Sequence, residues 1–228
     1  MALLNFTHIL DFMILMPLGN ILMPKWNLNS SQFSIIVSSY SLAAFVSSFA
    51  AIFFADKFDR KKLLLVAYFG FLAGTFGCAF ATDGSTMVIA RAVTGIFGGL
   101  ISAQIMSIIA DIIPYERRGQ AMGLLMGGFA LASVVGVPFG LYLANKFNWY
   151  FPFLVVAGVG TLLFPFLIRY VPNVTGHLSN PILLKGRIEN FINIFSDPTQ
   201  VTALAFSFIL IMGHFLIIPL FNPYMVYN

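Results

Sequence analysis

Apolar residues fill this chain in blocks of about twenty, separated by short polar breaks. The blocks run from about Ala2 to Met23, Gln32 to Ala55, Leu63 to Ala81, Thr86 to Ile113, Gln120 to Ala144, about Tyr150 to Val171, and Val201 to Phe221. Within each block the apolar positions are continuous, without the strict alternation of a barrel strand. An α-helix rises about 1.5 Å per residue, so about twenty residues match a hydrocarbon layer of about 30 Å. The pattern predicts an all-α integral membrane protein with six spans and a seventh.

The breaks carry turn and cap chemistry. Ser30 or Ser31 is placed to cap the second span, with Trp26 in the preceding loop as an interfacial anchor. Thr82–Ser85 reads as a tight turn, Pro114–Gly119 as a charged turn, and Asn145–Trp149 as a short turn with an aromatic edge. Asp197-Pro198 supplies an N-cap and a first-turn proline for the seventh span. Pro172 to Gln200 is the only sizeable polar segment, with Leu184, Ile188, Phe191, Ile192 and Phe195 at helical spacing inside it. It reads either as an amphipathic helix on the membrane surface or as a solvated linker.

The densest break is Asp56–Lys62, which holds six of the chain's twenty Lys, Arg, Asp and Glu residues. A charge at the centre of a bilayer costs roughly 3 kcal/mol or more, so this stretch is a solvated turn between two spans. Composition agrees. Only 9% of residues are charged, against about 25% in soluble domains. The net charge of +4 sits in loops and acts as a topology signal. Nine Lys and Arg residues lie on one side (Lys57, Arg60, Lys61, Lys62, Arg117, Arg118, Arg169, Lys185, Arg187) and two, Lys25 and Lys146, on the other. The positive-inside rule then puts the N-terminus and the Asp56–Lys62 turn in the cytoplasm, with the chain multi-pass in a cell inner membrane.

The sequence also excludes classes. It has no Walker loop, H-E-x-x-H or G-x-S-x-G motif, and no segment long enough for a nucleotide domain. No enzyme activity, cofactor, metal or nucleic-acid partner is expected. The single Cys78 lies in an apolar run and permits no disulfide within the chain. The first block has no small-residue cleavage site and reads as a span, not a signal peptide.

The chemistry concentrates on two ionisable residues inside spans. Asp11 lies near the middle of span one, with His8 three and Thr7 four residues earlier on the same helix face. Such a carboxylate either carries a proton in a cavity or is a structural polar group bonded to another helix. His8, with an ordinary pKa of about 6.5, is placed to share that proton or to stabilise the carboxylate. Arg91 sits five residues into span four, about 7–8 Å deep. It either snorkels to the interface or lines a cavity, and on the second reading it is the more distant electrostatic partner of Asp11. Asp111, near the inner end of span four, is expected to pair with Arg117 or Arg118. Gly70, Gly74 and Gly77 on span three, and Gly123 and Gly127 on span five, are expected to mark helix-packing faces. Pro138 is expected to kink span five.

The residues Ala55-Asp56-Lys57-Phe58-Asp59-Arg60-Lys61 resemble the loop signature G-x-L-A-D-R-x-G-R-R of the major facilitator superfamily. Asp56, Lys57, Arg60 and Lys61 match, and Ile52 and Asp59 replace the two glycines. The run Arg91-Ala-Val-Thr-Gly95 resembles the family's fourth-span motif. Gly136, Pro138 and Gly140 resemble the antiporter signature of span five, with Val137, Leu141 and Tyr142 in place of its other glycines. The stretch from Thr7 to Met13 and the aromatic Asn148–Phe153 are similar to the drug:proton antiporter and sugar-efflux branch. The resemblance implies a facilitator-type bundle at 1–171, a cytoplasmic central loop at 172–200, and the first helix of a mostly absent second bundle at 201–228. A weak internal repeat, Met16–Met23 against Ile218–Met225, points the same way. On this expectation, packing the face that carries His214 and Asn222 requires further helices. The implied function is proton-coupled efflux of a small organic solute by alternating access; a sugar uniporter or symporter and a truncated, non-transporting membrane protein are the alternatives. The implied roles are proton coupling for Asp11, His8 and Arg91, a conformational gate for Asp56, Lys57, Arg60 and Lys61, and close packing that hinders leak for Gly136, Pro138 and Gly140. The implied partners are the solute, protons, the lipid bilayer and a second transporter half.

Overall fold

Capping side chains set the starts of several helices in the computed structural model, which describes residues 1–174, 186, 193–210 and 212. The chain divides into two units, Met1–Pro181 and Ile182–Asn228. The first unit holds α1 (Ala2–Lys25), α2 (Ser30–Phe54), α3 (Arg60–Ala79), α4 (Gly84–Ile112), α5 (Tyr115–Lys146) and α6 (Phe151–Tyr170). All six are long and apolar enough to cross a membrane. In the second unit the described residues include a helical turn at 193–196 and the helix α7 (Pro198–Leu210), where Asp197 Oδ1 accepts the Thr199 amide at 2.9 Å. The rest of the expected seventh span, the repeat at Ile218–Met225, His214, Asn222 and most of the expected surface helix lie outside the described residues.

Two starts differ from expectation. The cap of α2 is Asn29, not Ser30 or Ser31. Asn29 Oδ1 accepts the Gln32 amide at 2.8 Å, and Gln32 Oε1 accepts the Asn29 amide at 2.9 Å. This reciprocal box satisfies two donors, of which a lone serine would satisfy one. The second difference is α5, which begins at Tyr115, so the expected charged turn Pro114–Gly119 is the first helical turn. Pro114 precedes it, and Glu116 suits the positive end of the helix dipole. Arg118 reaches back and donates to the carbonyls of Ala110 (2.7 Å) and Ile113 (3.1 Å), covering the carbonyl end of α4. Another reciprocal box, Asp83 with Thr86, starts α4.

The hub of the first unit is α4, and glycines set its contacts. Gly95 and Gly99 let α2 approach until added Cβ atoms would lie 2.3 Å from the Tyr40 and Ala44 carbonyl oxygens. On another side Gly70 and Gly74 of α3 receive Phe97 and Thr94 of α4. Gly128, Gly136 and Gly140 seat α5 on α1, where the last two meet Leu10 and Ile14. The expected packing role of Gly123 and Gly127 is not realised within the described residues, where both face open space. Pro138, which has no amide, follows a π-helical turn at Ala132–Gly136, so the irregularity in this span is a π-bulge immediately before the proline.

Two apolar clusters fill the bundle. One, near the Asp56–Lys62 turn, centres on Leu64, Tyr68, Phe71, Ile101 and Ile105. The other, at the opposite end, centres on Ile14, Leu18, Cys78, Met87 and Phe153. There Trp26, expected at the interface, meets Trp149 edge-on at 5.1 Å.

Candidate functional site

Between the two clusters lies a buried polar centre. Asp11 is 0% exposed and Arg91 is 1% exposed. Arg91 Nη1 donates to Asp11 Oδ2 at 2.7 Å and to the Asp11 carbonyl at 3.3 Å. The expectation of a more distant Arg91, or of one snorkelling to the interface, is therefore corrected. The long side chain turns inward across the gap between α4 and α1, where a desolvated charge gains most from a direct counter-charge.

His8 is also redirected. Its Nε2 lies 2.7 Å from the hydroxyl of Tyr40, while Nδ1 has no partner among the described residues. Sharing the helix face did not bring it onto Asp11, because the phenol from α2 competes for the imidazole. Tyr40 also places its ring face 4.6 Å from the Arg91 guanidinium carbon. It was not legible as a site residue, since a single tyrosine in an apolar block carries no signal of its own. Thr7 bonds to Tyr68, with the two oxygens 3.1 Å apart. Cys78 is buried with its Sγ 3.8 Å from Thr94 Oγ1.

Four polar atoms on α1 and α4 lack hydrogen-bond partners among the described residues besides His8 Nδ1. They are Asp11 Oδ1, Arg91 Nε, and both Oε1 and Nε2 of Gln104. Buried polar groups are normally satisfied, and an unsatisfied one costs about 1–3 kcal/mol. The centre thus retains hydrogen-bonding capacity beyond the ion pair.

A second charged cluster closes the end of the bundle that carries the basic turn. Arg60 Nη1 pairs with Asp56 at 3.1 Å, and Arg60 Nε donates to Asp111. The expected pairing of Asp111 with Arg117 or Arg118 is thereby corrected: α3 brings Arg60 to α4, while Arg118 serves carbonyls. Lys57 is exposed, and the amide of Lys61 donates to the cap residue Asp59 at 2.9 Å. Asp59 Oδ1 also accepts the Val174 amide at 3.4 Å, which pins the exit of α6 beside the turn.

A six-helix apolar bundle with an ion pair in its interior and a charged clasp at one end defines a multi-pass membrane protein. The Major Facilitator Superfamily model matches residues 1–228, and the chain belongs to that family. It is 28% identical over 205 residues to the uncharacterised MFS-type transporter YceJ of Bacillus subtilis, covering 90% of this chain and 52% of that protein. It is 29% identical over 163 residues to multidrug resistance protein 3 of Bacillus subtilis, covering 72% and 32%. It is 23% identical over 196 residues to a probable sugar efflux transporter of Mannheimia succiniciproducens, covering 86% and 48%. The chain thus spans about a third to a half of the length of these relatives. Its fold resembles that of a bacterial homologue of the human lysosomal transporter Spinster, with TM-score 0.64 and 16% identity over 87% of this chain and 48% of that one.

Proposed function

We propose that this chain is the N-terminal half of a proton-coupled transporter that exports a small organic solute by alternating access. The observation that carries the proposal is the Asp11–Arg91 pair, buried inside the bundle. Neutralising one member of such a pair changes the electrostatic balance of its surroundings by several kcal/mol, enough to bias a conformational equilibrium. Asp11 is the proton site, Arg91 its counter-charge and His8 a neighbouring polar group. In the present state the pair is closed to water, so proton exchange requires the bundle to open toward one side at a time. The Asp56–Arg60–Asp111 clasp, flanked by Lys57 and Lys61, is the cytoplasmic gate. Gly136, Pro138 and Gly140 keep α5 close to α1 and limit leak past the pair.

The remaining relations are part of the same proposal. The basic turn faces the cytoplasm, the membrane is a cell inner membrane, and residues 172–200 form the central loop. Residues 201–228 begin the second half. The multidrug and sugar-efflux relatives support efflux as the direction.

The test is flux in proteoliposomes under an imposed pH gradient. With the active assembly, Asp11→Asn abolishes gradient-driven efflux and leaves downhill exchange, and Asp11→Glu retains part of the activity. Full gradient-driven efflux in Asp11→Asn, with an unchanged pH profile, would assign the proton elsewhere.

A further inference from the structure

Tyr40 of α2 is 4% exposed and uses two faces of one side chain at once. Its ring lies 4.6 Å from the Arg91 guanidinium carbon, and its hydroxyl lies 2.7 Å from His8 Nε2. The ring of Phe12 closes another side at a centroid distance of 5.1 Å. Gly98 of α4 leaves the room for the phenol: a Cβ there would stand 2.4 Å from the Tyr40 oxygen and 2.9 Å from His8 Nε2. The titratable groups facing the Asp11–Arg91 pair are His8 from α1, Tyr40 from α2 and Cys78 from α3.

A guanidinium held by a carboxylate alone loses its ligand when the carboxylate takes a proton. An aromatic face is a neutral ligand that does not titrate with it. The phenol hydroxyl, with an ordinary pKa of about 10, hydrogen-bonds one imidazole nitrogen as donor or acceptor and so holds the ring of His8 in place. Phenylalanine at this position would serve Arg91 only, and an aliphatic residue would serve neither group.

We infer that Tyr40 is a positioning residue of the coupling centre, which keeps Arg91 against Asp11 in both protonation states of Asp11 and ties His8 to the pair. This rests on the reading of Asp11 as a proton site, so the test reads that titration directly and not transport. The full chain is reconstituted in lipid nanodiscs. The protonated-carboxyl infrared band of Asp11 is followed against pH and assigned by its loss in Asp11→Asn. Tyr40→Phe is expected to move the midpoint by at least about half a pH unit. Gly98→Ala, which drives a methyl into the phenol–imidazole contact, is expected to move it as well. An unchanged midpoint in Tyr40→Phe overturns the tie to His8, and an unchanged midpoint in Tyr40→Leu, which also removes the ring face, overturns the hold on Arg91, with or without lowered thermal stability. An Asp11 that never titrates while the protein stays folded overturns both. A titrating, Tyr40-dependent Asp11 in a protein whose flux ignores the proton gradient supports the inference and overturns the proposed function alone.

Discussion

Removing the Asp11 carboxylate tests how the bundle tolerates a charge in its interior. In Asp11→Leu the guanidinium of Arg91, 1% exposed, keeps the Tyr40 ring and the residue 11 carbonyl but loses its anion. Breaking a buried pair from one side costs about 3–5 kcal/mol, because the remaining charge stays desolvated. In Asp11→Asn the amide oxygen still accepts from the guanidinium, and a hydrogen bond to a charged group recovers about 1.5–3 kcal/mol. The expected net loss is then roughly 1–3 kcal/mol. In the double variant Asp11→Leu with Arg91→Leu no charge remains buried, and the stability should return close to that of the starting protein. Cys78 provides the assay. It is the chain's single cysteine and is 0% exposed, so a thiol-reactive fluorophore reports its exposure during thermal unfolding in detergent. At roughly 2–4 °C per kcal/mol for a chain of this size, Asp11→Leu should lower the midpoint by roughly 6–20 °C. A fall of less than about 2 °C, or a double variant as unstable as the sum of the singles, would refute the reasoning.

Further outcomes follow from the clasp, the glycine contacts and the α4 cap. Asp56→Asn removes one carboxylate from Arg60 while Asp111 remains; the Asp56 side chain is 41% exposed, so the stability change should stay within about 1 kcal/mol. Transport should nonetheless be lost with expression retained, and unchanged flux would reduce the turn to a topology signal. Gly95→Leu drives a side chain into the Tyr40 carbonyl and should abolish monodisperse protein on size exclusion, whereas Gly123→Ala, which meets open space, should leave this chain's unfolding midpoint unchanged. Hydrogen bonds from Thr86 hold the Asp83 carboxyl below its ordinary pKa. A group depressed in the folded state stabilises above its unfolded pKa, and that contribution is lost as pH falls through the folded value. Circular-dichroism melting should show Asp83→Asn less stable than the starting protein at neutral pH, with the difference closing in acid.

The sequence by itself determined the number and approximate limits of the first six spans, because about twenty consecutive apolar residues have few other uses and because charges cannot remain in hydrocarbon. It also singled out Asp11 and Arg91 as costly residues, and the Asp56–Lys62 stretch as a charged break between spans, although Asp59 and Arg60 within it are buried. Only the tertiary structure decided who pairs with whom. Arg91 reaches Asp11 directly, His8 turns to Tyr40, and Asp111 takes Arg60 in place of its sequence neighbours Arg117 and Arg118. It also separated Gly70 and Gly74, packed on α4, from Gly123 and Gly127, which face open space although their spacing is alike. In water, the apolar stripe of a helix points to its neighbours. In a bilayer the lipid is as apolar as the bundle interior, so the pattern along a span sets its depth and length but not its rotation or its partners.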